Sequence, residues 1–355
     1  MSTFGLLKRR GSDKIGIDQP PGTDPDGHSA RFFDIDRTKG FAIALVVWGH
    51  IPNASISAPT QWYYTSISAI YAFHMPLFMY LSGFVFFLVG GPERFWNAPL
   101  RQFLSRFDRL IVPFIFFMLL IVSGKYFAST ISGVSDPVNS IGDGLLKVIT
   151  NTPDNPLLSI WYLLVLFVYT LATPLLWRLG NKKLYLLVLC GILGWMVVLP
   201  EDFYLKRISN YFIFFVIGGL FATNRHIMLR IVQKFYIWFL VIFFVVLFLW
   251  HDSKYALLIC GISSIFALHG LFLQPYWHKD KLWLALGRYS MAIYLLNTIF
   301  IGVAILFLAP LLSNSLSHFF LAVLMLFLLG LLGPIASAKI LNSIPVFRPI
   351  ARYFD

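Results

Sequence analysis

The segment FDIDRTKGFAIALVVWGHI holds the residues whose types and spacing point most directly to chemistry, Lys39 and His50. Eleven residues apart, they are separated by close to three α-helical turns and share one helix face. At ~1.5 Å per residue, His50 lies about 16 Å further along the axis. An imidazole with an ordinary pKa of about 6.5 can accept a hydroxyl proton, and a lysine on the same face can hold an anion. A charged helix start followed by one hydrogen-bonded histidine accounts for the pattern equally. Asp36, one turn before Lys39, is counted among the supporting residues.

A second histidine, His74, occurs in AFHMPLFMYLSGFVFF, on a segment returning toward the side where Lys39 starts. Helical rise places it at a depth similar to His50. Pro76 loosens the local hydrogen-bond ladder, while Ser82 and Gly83 permit close helix approach. In FLSRFDRLIVPFIFF, Arg106 and Arg109 stand three apart at a helix end, an arrangement suited to bidentate phosphate binding. Positive charge that sets topology, with a local pair to Asp108, explains the two arginines as well.

These residues need elements to hold them, and composition says which. Of 355 residues, 58% are hydrophobic and 12% charged, against ~25% charged in soluble domains. Phe, Tyr and Trp, at 36, 16 and 10 copies, suit lipid-facing helices and interfacial belts. Ten apolar stretches between Asp36 and Ala338 approach the length of a membrane crossing. Their limits are Asp36–Ile51, Thr65–Val89, Leu110–Gly124, Leu157–Trp177, Leu184–Leu199, Ile208–Thr223, Phe235–Trp250, Tyr255–Leu273, Tyr289–Leu312 and Phe319–Ala338. The expected fold is an all-α, polytopic integral membrane helix bundle of about ten transmembrane helices.

Charge placement orients the bundle. Of 28 Lys and Arg residues, 23 fall on the side shared by both termini, so both termini are expected in the cytoplasm. The net charge of +12 follows from that bias, and no contiguous basic helix suggests nucleic acid. The opposite side collects Asp136, Asp143, Asp154, Glu201, Asp202 and Asp252, a surface on which an acceptor could rest. The loop from Lys125 to Pro156 is long and polar, without evident structure of its own. No Asp or Glu lies well inside any span, which argues against a proton-coupled carrier. Cys190 and Cys260 read as packing residues, and no metal is expected.

Residues 1–32 form a polar tail in which Lys8, Arg9 and Arg10 favour anionic lipid. No apolar stretch follows them as in a signal peptide. Residues 33–342 form the transmembrane domain, and residues 343–355 a short basic tail with no second soluble domain expected.

In order and spacing, the segments from about Phe33 to Ile301 resemble the acyltransferase 3 family of bacterial membrane O-acyltransferases. DRTKGFAIALVVWGH matches the family's Arg/Lys-x10-His element through Lys39 and His50. HMPLFMYLSGFVF, SRFDRLIVP, SIWYLLVLFVYTLATPLL, NYFIFFVIGGLFA and GRYSMAIYLLN continue the resemblance. It implies acyl transfer, commonly acetyl from acyl-CoA, onto hydroxyls of surface or exported glycans. No permanently bound cofactor is implied. The acyl-CoA is a co-substrate, and a saccharide or lipid-linked glycan and membrane lipid are the partners. The implied setting is the inner membrane of a bacterium. His50 would be the essential histidine, Lys39 its basic partner, and Arg106 and Arg109 would bind donor phosphates. Where members often carry a histidine, this chain has Asn297, which can orient a substrate by hydrogen bonding. The competing readings are a transporter of a small solute or lipid-linked sugar and a non-catalytic membrane sensor.

Overall fold

Long charge-poor runs of Leu, Ile, Val and Phe leave a lipid-embedded backbone the α-helix, which satisfies its hydrogen bonds internally. The computed structural model describes residues 32–51, 61–129, 138–150, 160–250, 253–312 and 316–354. The tail basic residues and the loop acids Asp136, Asp154 and Asp252 lie outside the described residues. No strand occurs among those described.

The first half of the chain forms α1 (Phe33–Gly49), α2 (Gln61–Tyr71), α3 (His74–Leu88), α4 (Gly91–Asn97) and α5 (Pro99–Arg106). A π-helical turn, Phe107–Ile111, joins α5 to α6 (Val112–Ser129), followed by α7 (Ile141–Thr150), α8 (Trp161–Leu179) and α9 (Leu184–Met196). The second half forms α10 (Leu205–Thr223), α11 (Arg225–Trp250), α12 (Lys254–Phe272), α13 (Leu282–Arg288), α14 (Ser290–Leu312), α15 (Leu316–Ser343) and α16 (Arg348–Ala351). Eight helical stretches among the described residues are long and apolar enough to cross a membrane. Two further expected spans form shorter helices, α1 with 17 residues and α9 with 13.

Two local expectations change. The second span is broken at Ala72 and Phe73, so His74 opens α3 instead of lying within a longer helix. The loop read as unstructured contains α7, whose Gly144 packs closely on Val122 and Val138. Tyr204 also donates to the carbonyl of Val148 at 2.6 Å. The segment is strongly amphipathic over its ten residues, but two glycines and its place in a polar loop make it read as unstructured in the sequence.

Two close approaches set the interior. A Cβ on Gly40 would meet the carbonyl oxygen of Trp283, so α1 and α13 touch backbone to backbone. A Cβ on Gly83 would meet the carbonyl oxygen of Phe215, fixing α3 against α10. A buried polar chain ties α1, α3 and α12 together. Tyr80 donates its hydroxyl to His269 Nδ1 at 2.5 Å, and His269 Nε2 meets Asp34 Oδ2 at 3.1 Å. His269 is fully buried and Asp34 nearly so. Asp34 lies just before the first apolar run, so the sequence reading counted no acid there. The start of α1 and the C-terminal segment come to the same end of the bundle, where Phe32 and Tyr353 line one cavity.

Gly83→Val is expected to destabilise the fold by about 1–3 kcal/mol through overpacking, seen as a lowered thermal midpoint in detergent. Gly302→Ala, where an added Cβ has no neighbour within 4 Å, should not lower it. Equal midpoints for wild type and Gly83→Val would remove this contact as a determinant of stability.

Candidate active site

The expected site residues converge on a cavity of about 1120 Å³. Lys39, His50, His74, Ser82, Arg106 and Arg109 all line it. The three-turn spacing of Lys39 and His50 therefore does what the helix period requires, placing both on the face of α1 that looks inward.

The cavity is strongly polarised along its length. Near the start of α1, α5 and the π turn, it is lined by Lys39, Arg94, Arg106, Arg109, Arg288 and Arg352. Among the described residues Asp36 is the one acid lining it, 4.0 Å from Lys39. Asp108 does not pair locally with the flanking arginines as the sequence suggested. It accepts from Arg352 Nη2 at 2.9 Å and from the Tyr353 hydroxyl at 2.8 Å. That long-range contact draws the C-terminal segment against the π turn and leaves Arg106 and Arg109 turned toward the cavity. Arg106 lies over the ring of Phe86, 5.5 Å from its centroid.

The opposite end carries the histidines. His50 is the residue that ends α1, and His74 opens α3 with its Nδ1 2.8 Å from the carbonyl of Ile70. A carbonyl only accepts, so Nδ1 of His74 carries the proton and its Nε2 is left with a lone pair.

The best-determined geometry is around His50. Its Nδ1 lies 2.7 Å from Oδ1 of Asn297, which is fully buried on α14. The amide nitrogen of Asn297 donates to the carbonyls of Ile293 at 2.7 Å and Tyr294 at 3.0 Å. With both amide hydrogens directed at carbonyls, the amide oxygen must face His50. An amide oxygen cannot donate, so the proton sits on Nδ1 and the Nε2 lone pair is free to act as a base. Asn297 does not line the cavity. Its oxygen meets His50 and its nitrogen meets two carbonyls of its own helix.

Between the two ends, the hydroxyls of Ser82 and Tyr162 are hydrogen-bonded to each other and both face the cavity. Tyr162 was not singled out in the sequence, since one tyrosine among sixteen carries no spacing signal. Glu201 bonds to Lys206, and neither Glu201 nor Asp202 lines the cavity.

A family profile described as an acyltransferase domain matches residues 32–339. Nodulation protein NolL of Mesorhizobium japonicum is 27% identical over 209 residues, 57% of this chain and 50% of that protein. Nodulation protein NolL of Sinorhizobium fredii is 33% identical over 117 residues, 31% of each chain. The chain thus spans half the length of the first relative and less of the second. No solved structure matches. With Lys39, His50, Arg106, Arg109 and Asn297 all inside the matched stretch, the chain belongs to the acyltransferase 3 family.

Proposed function

We propose that the chain transfers an acyl group, acetyl in the simplest case, from acyl-CoA to a hydroxyl of a saccharide. The observation that carries this reading is a histidine fixed as a base at one end of a cavity whose other end is lined by cations. The donor's phosphates bind among Lys39, Arg106 and Arg109, where charge-assisted and bidentate bonds favour them. Its pantetheine arm then runs along the cavity and brings the thioester to the histidine end.

There, Nε2 of His50 takes the proton as the sugar oxygen attacks the thioester carbon. A new C–O bond forms, the C–S bond breaks, and the imidazolium returns the proton to the departing thiolate. General-base assistance of this kind contributes about 10²–10⁴-fold. Asn297 acts one step back, holding the tautomer and stabilising the imidazolium through its amide oxygen. Hydroxyls of Ser82 and Tyr162 are the cavity donors available to a developing oxyanion. His74, with its proton directed at Ile70, offers a lone pair in its neutral form.

The Lys and Arg bias supports an orientation with the arginine end and both termini in the cytoplasm, and the family supports a bacterial plasma membrane setting. That orientation faces the donor site toward the compartment where acyl-CoA is made.

The deciding experiment is mass spectrometry of surface and exported glycans from cells with the wild-type protein, without it, and with His50→Ala. Both defective strains should lose the same acyl-sized mass increment. Wild-type acylation by His50→Ala at equal membrane abundance would end the catalytic assignment. Unchanged glycans with altered solute accumulation would favour a transporter.

For Asn297, the leucine variant should lower kcat by about 10²-fold while leaving the donor KM unchanged. Asn297→His, which again offers His50 a nitrogen acceptor, should recover most of that loss. A leucine variant with wild-type kcat would show that the tautomer does not depend on this bond.

A further inference from the structure

Among the described residues, Arg207 is the one cation lining the cavity at its histidine end, and the proposed acyl transfer does not use it. It sits in the first turn of α10, with its guanidinium carbon 4.6 Å from the ring centroid of Trp161 and 5.9 Å from that of Tyr204. The hydroxyl of Tyr169 pins the local backbone by donating to the carbonyl of Ile208 at 2.7 Å. Trp161 and Tyr211 line the cavity beside Arg207, their ring centroids 5.4 Å apart.

No carboxylate satisfies this guanidinium among the described residues. Glu201 acts on it electrostatically but is bonded to Lys206, and neither Glu201 nor Asp202 lines the cavity. Asp36, the one acid lining the cavity among the described residues, is paired with Lys39 at the opposite end. A cation within a spanning helix is costly unless something complements it. Its place over the Trp161 ring compensates part of that cost, and guanidinium N–H groups turned to the cavity can serve a planar or tetrahedral anion.

The position also bears on the reacting centre. Asn297, which holds His50, hydrogen-bonds the carbonyl of Tyr294 one turn earlier on α14. The Tyr294 ring lies 5.7 Å from that of Tyr162, whose chain neighbour is Trp161. A short series of contacts therefore links the base to the cation.

We propose that Arg207 is a specificity residue for the acceptor: it binds an anionic group of the saccharide, carboxylate or phosphate, while a hydroxyl is presented to His50. This rests on the acyl-transfer reading of the same cavity. A neutral acceptor leaves the guanidinium without its anion, so the site discriminates against it.

The test uses the full chain in nanodiscs. Direct binding is measured for para-nitrophenyl β-glucuronide, para-nitrophenyl β-glucoside, and the glucoside phosphorylated on its primary hydroxyl. Coenzyme A binding is measured alongside. Wild type should bind one anionic probe at least about tenfold tighter than the neutral glucoside, the scale of a charge-assisted hydrogen bond. Which anion is preferred identifies the recognised group.

Arg207→Gln should abolish the preference while coenzyme A binding is kept, and Arg207→Lys should keep part of it. If Arg207→Gln loses coenzyme A binding as well, the lysine variant decides, because it retains the charge without the fork. Equal binding of all three probes by wild type, or a preference that survives in Arg207→Gln, would overturn the assignment. A preference that depends on Arg207 in a protein that binds no coenzyme A would retain the anion site and reject the donor reading instead.

Discussion

A guanidinium or ammonium group in the hydrocarbon of a bilayer is costly, and a protein meets that cost only by enclosing the group. Among the described residues, seven cationic side chains line a single cavity. That constraint organises the bundle. The helices must close around a polar interior while turning Trp238, Phe248 and Leu249 of α11 and similar residues outward. Closing around a cavity of that size also requires tight contacts elsewhere. The backbone approaches at Gly40 and Gly83 provide them, leaving the walls thin enough for side chains from several helices to meet.

The same enclosure gives the polar contacts their definition. In water, the amide of Asn297 would exchange partners freely. Buried between two carbonyls of its own helix and a histidine from another, it has one arrangement that satisfies every atom. The tautomer of the imidazole is thereby set from outside the cavity, by a residue that does not line it. Asp34, His269 and Tyr80 show the same logic without the cavity. They form a complete donor and acceptor series, packed between aromatic rings of Phe84 and Phe221, and fasten three helices.

Much of this was legible in the sequence wherever the information was local. The helical period alone put Lys39 and His50 on one face, and the charge-free runs announced the membrane. What was hidden depended on contacts between distant residues. The bond between His50 and Asn297 bridges 247 positions, and the one between Arg352 and Asp108 bridges 244. Read in isolation, Asn297 looked like a substrate contact and Asp108 like a neighbour's partner. Arg207 was counted only as a topological charge, because no spacing rule distinguishes a cation beside a cavity from one beside water. His269 was passed over because the acid that holds it lies just outside the first apolar run.

The π turn at Phe107–Ile111 adds a consequence for sequence length. Its wider loop accommodates one residue more than an α-helical turn would. Deleting a single residue there would close the turn to ordinary helix while α5 and α6 kept nearly their present relation. The same deletion in the regular helix of α6 would instead rotate α5 by about 100° and carry Arg106 off the cavity wall. A gap in this segment therefore belongs at the turn: chains that differ by one position in length there can still share a binding surface.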